Sequence, residues 1–127
     1  MTTQLINISV GELWDKYTIL LIKQEKIKNT EKLKFISNEI NFLDKNMKHY
    51  NYLNNDLFLN LKNVNLQLWD IEDNIRIKEF NKKFDTEFID LARSVYITND
   101  KRSELKTKIN NLFGSEIQEV KDYIKYI

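Results

Sequence analysis

All three arginines of this 127-residue chain, Arg76, Arg93 and Arg102, fall within residues 69–102. Elsewhere the basic residue is almost always lysine, in a chain whose wealth of Asn, Lys and Ile suggests a low-GC coding bias that works against arginine codons. The guanidinium therefore looks selected for its planar five-donor fork, which grips a carboxylate or phosphate through two parallel bonds where an ammonium acts as a point charge. The chemistry this stretch offers is recognition of an anionic group.

Other combinations of reactive side chains are sparse. There is no Cys, so neither a disulfide framework nor a thiolate metal site exists, and the single His49 lies beside Tyr50 and Tyr52 without ligand partners and is assigned no function. No glycine-rich phosphate loop, Ser-His-Asp order or His metal cluster is present. The carboxylates of Glu12, Asp15, Glu72 and Asp73 suit a hard divalent ion such as Mg²⁺ in principle. Acidic residues at helical spacing are also common on solvated faces, so no metal and no cofactor is expected.

Positioning falls to helices, because the chain has no Pro and only two glycines, Gly11 and Gly114. Ser9 and Glu12 have capping-box spacing and open a helix running to about Asn29. On it Glu12, Asp15, Lys16, Lys23 and Lys26 share one stripe, either its only wet face or one wall of a polar site. Asn29 or Thr30 caps a second helix reaching about Tyr50. A loop over 51–55 leads into the longest helix, about Asp56 to Lys82, where Leu57, Leu61, Val64, Leu68, Ile71 and Ile75 form a heptad seam expected to pack within its own bundle. Glu72, Arg76 and Glu79 project between this seam and a second apolar strip of Leu66, Trp69, Ile77 and Phe80, and are expected to be partly buried.

The remainder reads as short helices. Asp85 caps one carrying Ile89, Arg93 and Tyr96 on a shared face. Asn99 or Asp100 caps another, which stops at Gly114 in a left-handed conformation. Ser115 and Gln118 repeat the capping-box spacing and open a last helix with Ile117, Val120 and Ile124. The fold expected is all-α: an antiparallel bundle of three long helices with two or three short C-terminal ones, forming a single helical domain over residues 1–127.

Twenty basic against 19 acidic residues give a net charge of +1. That supplies no overall field for nucleic acid, and acidic residues are interleaved with the basic segment from Lys82 to Lys108, so no nucleic-acid partner is expected. No apolar run is long enough to cross a bilayer, and the N-terminus lacks the pattern of a secretion signal, so the expectation is no membrane and a cytoplasmic location.

Four blocks in order, ISVGELWDKYTILLIKQEKI, LWDIEDNIRIKE, FIDLARSVYITNDKRSELKTKIN and GSEIQEVKDY, resemble a family of small bacterial and phage proteins that share a domain of unknown function. The resemblance covers nearly all of the chain apart from about residues 33–65. It implies no reaction, although some of those proteins occur alongside sugar-transferring and surface-polysaccharide proteins. The resemblance and the helical faces single out the same residues: Glu12, Asp15, Lys16, Glu72, Arg76, Arg93, Tyr96, Asn99, Asp100 and Arg102.

Two arrangements account for these residues. In one, a buried ion network fixes helix register. In the other, the three guanidinium groups and Lys16 converge beside the first turn of the Asn99 helix, whose free N–H groups also favour an anion. Gly11, unfavourable by about 1 kcal/mol in a helix relative to Ala, implies a close approach by a ligand or a crossing helix. The functional expectation is a binding or accessory module that holds an anionic small molecule or a partner's acidic group. Its rivals are a structural or homodimerising protein, and a small all-α enzyme acting on a phosphorylated or sugar-nucleotide-type substrate.

Overall fold

The computed structural model describes residues 2–127, and its regular structure consists of four α-helices and one 3₁₀ turn. Helix α1 spans Val10–Lys26, α2 Thr30–Met47, α3 Asp56–Phe80 and α4 Thr86–Phe113, with the 3₁₀ turn at Tyr52–Asn54. Each start is set by a side chain that accepts an otherwise orphaned amide. Ser9 takes the N–H of Glu12, Asn29 that of Lys32, Asn55 those of Leu57 and Phe58, and Asp85 that of Phe88. The capping box at Ser9 is half formed, because the Glu12 carboxylate turns instead to Lys106.

Helices α3 and α4 form an antiparallel hairpin, and α1 lies across it. The first turns of α1 meet α4, where Gly11 reaches Asn110 and Asp15 reaches Arg102. Its later turns meet α3, where Thr18 reaches Asn65 and Glu25 reaches Lys62. Helix α2 folds back on α1, held by a 2.6 Å hydrogen bond from the Tyr17 hydroxyl to Asp44. Burial, this bond and neighbouring Tyr52 all push the Tyr17 hydroxyl far above its ordinary pKa, so it stays protonated as a donor.

The core sits where α1 crosses the others. Leu13, Trp14, Tyr17 and Leu20 of α1 pack with Ile36, Ile40 and Met47 of α2, Phe58 and Leu61 of α3 and Ile109 of α4. Trp14 is fully buried and meets the rings of Tyr50, Phe58 and Phe113 edge-on at 5.2–5.9 Å.

Three expectations about elements are overturned. The separate helices expected from Asp85 and from Asn99 are one continuous helix of 28 residues. Asn99 and Asp100 are polar but not breakers, and packing against α3 and α1 carries the helix through them. The helix expected from Ser115 does not form, since residues after Gly114 have no helical turns. Its cap is taken: the Ser115 hydroxyl accepts the N–H of Val10 at 3.1 Å, and nearly every apolar side chain that would have driven the helix lies exposed. Finally, Glu72, Arg76 and Glu79 are exposed, not partly buried. Helix α1 crosses only the lower half of the hairpin, and no residue of α3 beyond Asn65 is buried. Gly114 does stop α4 in the left-handed region, at φ 62°.

Candidate functional site

The polar centre is built on Asp15, which lies on the buried face of α1 with 2% of its surface exposed. A carboxylate so deep is stable only if its oxygens are filled with donors. Oδ1 accepts from Arg102 Nε at 2.9 Å and from Asn65 Nδ2 at 3.0 Å, while Oδ2 accepts from Arg102 Nη2 at 2.5 Å. The Arg102 fork thus engages Asp15 through two parallel bonds, the geometry that a lysine cannot reproduce. Asn65 Nδ2 also donates to Thr18 Oγ1 at 2.9 Å, and Thr18 donates back to the Asp15 carbonyl at 2.8 Å. The bond to Asp15, working against desolvation, raises the pKa of Arg102 further.

One turn along α4, Lys106 Nζ donates to Glu12 and to Glu119 at 2.8 Å each and stands 3.9 Å from Asp15. Burial alone lowers the pKa of this ammonium, but hydrogen bonds to Glu119 and Glu12 and the charge of Asp15 outweigh burial and raise it. In return, Lys106 holds the Glu119 carboxyl below its usual range, against a small opposing effect of desolvation. Lys16, on the outside of α1, adds a looser pair to Glu12 at 3.7 Å. Lys121 likewise reaches Glu119 at 3.3 Å, so the network contains Lys16, Arg102, Lys106 and Lys121 against Glu12, Asp15 and Glu119, with the two lysines of the outer pairs more exposed.

The same crossing explains Gly11. Its N–H donates to Asn110 Oδ1 at 2.6 Å, and a Cβ placed there would come within 2.6 Å of the Lys106 carbonyl and 2.7 Å of Asn110 Oδ1. A crossing helix, not a ligand, requires the missing side chain.

Beside the network lies a cleft of about 390 Å³. Ile19, Ile22 and Lys23 of α1 form one wall, Leu68, Trp69, Glu72, Asp73 and Arg76 of α3 the other, and Arg102 and Asn65 reach its base. Arg102 Nη1 has one long bond there, to Asn99 Oδ1 at 3.4 Å. Arg76 is held by an exposed pair with Glu72 at 3.2 Å.

Of the residues singled out from sequence, Glu12, Asp15, Lys16 and Arg102 come together, with Asn99 touching the edge. Glu72 and Arg76 line the adjoining cleft but do not join the network. Asp100 and Tyr96 face away, toward the C-terminal segment. The Tyr126 hydroxyl donates to Asp100 at 2.6 Å, which pushes that hydroxyl's pKa up to about 12, and the Tyr96 and Tyr126 rings meet edge-on. Arg93 is exposed and forms no ion pair among the described residues. The convergence of all three guanidinium groups at a helix start is thereby overturned: Asn99 lies inside α4, where its N–H is part of the helix, and Arg93 points elsewhere. Nor do Glu12 and Asp15 join Glu72 and Asp73 as a cation site, since Lys106 and Arg102 already occupy their carboxylates.

Sequence reasoning missed Thr18, Asn65, Lys106, Asn110, Ser115 and Glu119. One signal was available: Arg102, Lys106 and Asn110 recur every four residues and so form a single stripe on α4, complementary to Gly11, Glu12 and Asp15 on α1. Asn65 and Glu119 carried no comparable pattern.

Comparison with protein-family models, with curated proteins and with solved structures returns no match for this chain.

Proposed function

We propose that this chain is a helical binding module whose cleft takes a small molecule carrying a phosphate or carboxylate together with hydroxyl groups. The observation that carries this reading is Arg102, gripped from behind by a buried carboxylate while its outer edge borders the cleft. A guanidinium fixed in this way has already lost its rotamer freedom, so an incoming anion does not have to order it. Arg76 supports the same reading, since its exposed pair with Glu72 is worth at most about 1 kcal/mol and exchanges readily for a ligand anion. Trp69, Leu68, Ile19 and Ile22 supply apolar surface, and Glu72 and Asp73 supply acceptors for hydroxyl donors. A sugar phosphate combines these features. The family that the sequence resembles, some of whose members occur beside sugar-transferring proteins, agrees with that class.

Titration with inorganic phosphate, glucose 1-phosphate and uridine diphosphate, followed by Trp69 fluorescence and amide chemical shifts, tests the reading. Glucose 1-phosphate or uridine diphosphate should perturb cleft residues, and Arg76→Ala should weaken binding at least about tenfold, or 1.4 kcal/mol, at unchanged stability. If neither probe perturbs the cleft at millimolar concentration, the reading fails.

A second reading rests on the saturation of Asp15 within the network. With each Asp15 oxygen already filled by donors from α3 and α4, the cluster acts as a lock that fixes where α1 crosses α4. In that case Arg102→Lys lowers stability and Arg76→Ala changes nothing.

A further inference from the structure

Residues 66–97 include the upper half of α3, the turn and the upper half of α4, and not one of them is buried. Two helices alone cannot enclose a core, and a helical hairpin ordinarily owes its stability to a further layer. In the lower half of the hairpin α1 is that layer. In the upper half an apolar strip continues uncovered: Ile77 is 57% exposed, Phe80 86% and, in the turn, Phe84 56%. Ile77 and Phe80 lie on the same face of α3 as Trp69 and Asp73, at three- and four-residue steps.

Charges are left unpaired at both ends of this arm. Lys82 and Lys83 stand at its tip, next to Glu79, and Asp70 and Asp73 at its base, and none of these forms an ion pair among the described residues. Lys78, by contrast, is already satisfied by Asp85 and Glu87. Two unpaired lysines just past the end of α3 and two unpaired aspartates up to ~15 Å of helix below that end, at 1.5 Å per residue, face each other when two arms lie antiparallel. A two-fold axis near the middle of the arm then makes the same contact twice.

We infer that the arm is a self-association surface, on which a second copy of this chain packs antiparallel. Its Lys82 and Lys83 lie against Asp70 and Asp73 of the first copy, and Ile77, Phe80 and Phe84 of both copies close a four-helix layer. The second copy's tip also arrives at the mouth of the cleft beside Trp69 and Asp73. This inference does not depend on a ligand, because the exposed strip and the charge separation are present without one.

Light scattering and sedimentation of the full chain across a concentration series should give twice the chain mass. Phe80→Glu, at a site too exposed to matter within one chain, should raise the dissociation constant at least about a hundredfold with unchanged helicity. Reversing the tip (Lys82→Glu with Lys83→Glu) should weaken the dimer, and adding Asp70→Lys with Asp73→Lys should restore it. Because the chain contains no cysteine, Lys83→Cys mixed with Asp70→Cys should form a disulfide between copies under oxidation. A chain that stays monomeric at 200 µM overturns the proposal, on the scale where weak interfaces still associate. So does a dimer indifferent to Phe80→Glu. Charge reversal without rescue, or no cross-link, overturns the antiparallel arrangement. Failure on these measures leaves ligand titration at the cleft unaffected, and the converse also holds.

Discussion

Asp15→Asn isolates the network, because it removes one charge and almost no volume. The new amide points an N–H₂ at donors in either orientation, against Arg102 Nη2 in one and against both Arg102 Nε and Asn65 Nδ2 in the other. Arg102 and Lys106 then lose the carboxylate that lies between them. Stripping one partner from a buried ion pair costs about 3–5 kcal/mol. The Arg102 side chain is 30% exposed, so water recovers part of that loss and the lower end, about 3 kcal/mol, is expected here. At about 2.1 cal/mol/K of unfolding entropy per residue, 127 residues give about 0.27 kcal/mol/K, and Tm should fall by about 11 °C. Urea unfolding followed by far-UV circular dichroism measures the free energy directly, with Glu72→Gln as the control. That substitution severs only the surface pair to Arg76 and should stay within about 0.5 kcal/mol of wild type. If Asp15→Asn behaves like Glu72→Gln, the buried network does not hold the helices together.

Gly11→Ala should destabilise by several kcal/mol despite the ordinary helix preference for Ala, because the added methyl meets the backbone carbonyl of Lys106; thermal unfolding checks the sign. Gly114→Ala has open space around it and should cost only about 1 kcal/mol, the strain of the left-handed backbone. The pH dependence of stability should separate wild type from Glu119→Gln at both ends of the range. Glu119 is depressed in the folded state, so its contribution is present above its ordinary 4.5 and lost as pH falls through the folded value. Lys106 is raised, so its contribution is present below 10.5 and lost as pH climbs through the folded value. Urea midpoints of the two proteins should therefore differ at neutral pH and converge in acid and strong alkali. Arg93→Lys should leave both stability and cleft binding unchanged, which a thermal scan and the phosphate-ester titration would show.

The helical character, the caps at Ser9 and Asp85, the cap at Asn29 as one of two options, and the stop at Gly114 were legible because each rests on local chemistry: an oxygen before a helix, a glycine after one, apolar residues at steps of three and four. The Asn55 cap was not anticipated. Arg102 was legible as unusual by its residue type against the composition of the chain, and Asp15 by the polar stripe it shares with Glu12 and Lys16 on α1. Their pairing was legible only as one of two options, since spacing on a helix says which side chains share a face but not which helix will cross it. The misjudged residues mark where tertiary contact overrides local pattern. Asn99 and Asp100 have capping chemistry yet sit inside α4, because the helix gains more by continuing along α3 than by stopping. Ser115 has the same chemistry and spends it on α1. Arg76 lies beyond Asn65, the last residue of α3 that the crossing of α1 buries, and a helical wheel cannot show where along a helix its neighbour crosses.

The cleft and the arm share one cause: α1 crosses only the lower half of the hairpin, and no residue of α3 beyond Asn65 is buried. Because the Asp15–Arg102 pair anchors α1 low on the hairpin, α3 keeps one amphipathic face that is served by the protein's own core only in its first half. The second half carries apolar and charged groups in an order that means little in water, where exposed pairs contribute at most about 1 kcal/mol and a bare Phe contributes nothing. The same residues gain value when a further surface or molecule removes water from them. The internal lock is therefore what creates the exposed surface: fixing the crossing point buries one set of charges and leaves another set, on the same face of α3, free for something that binds.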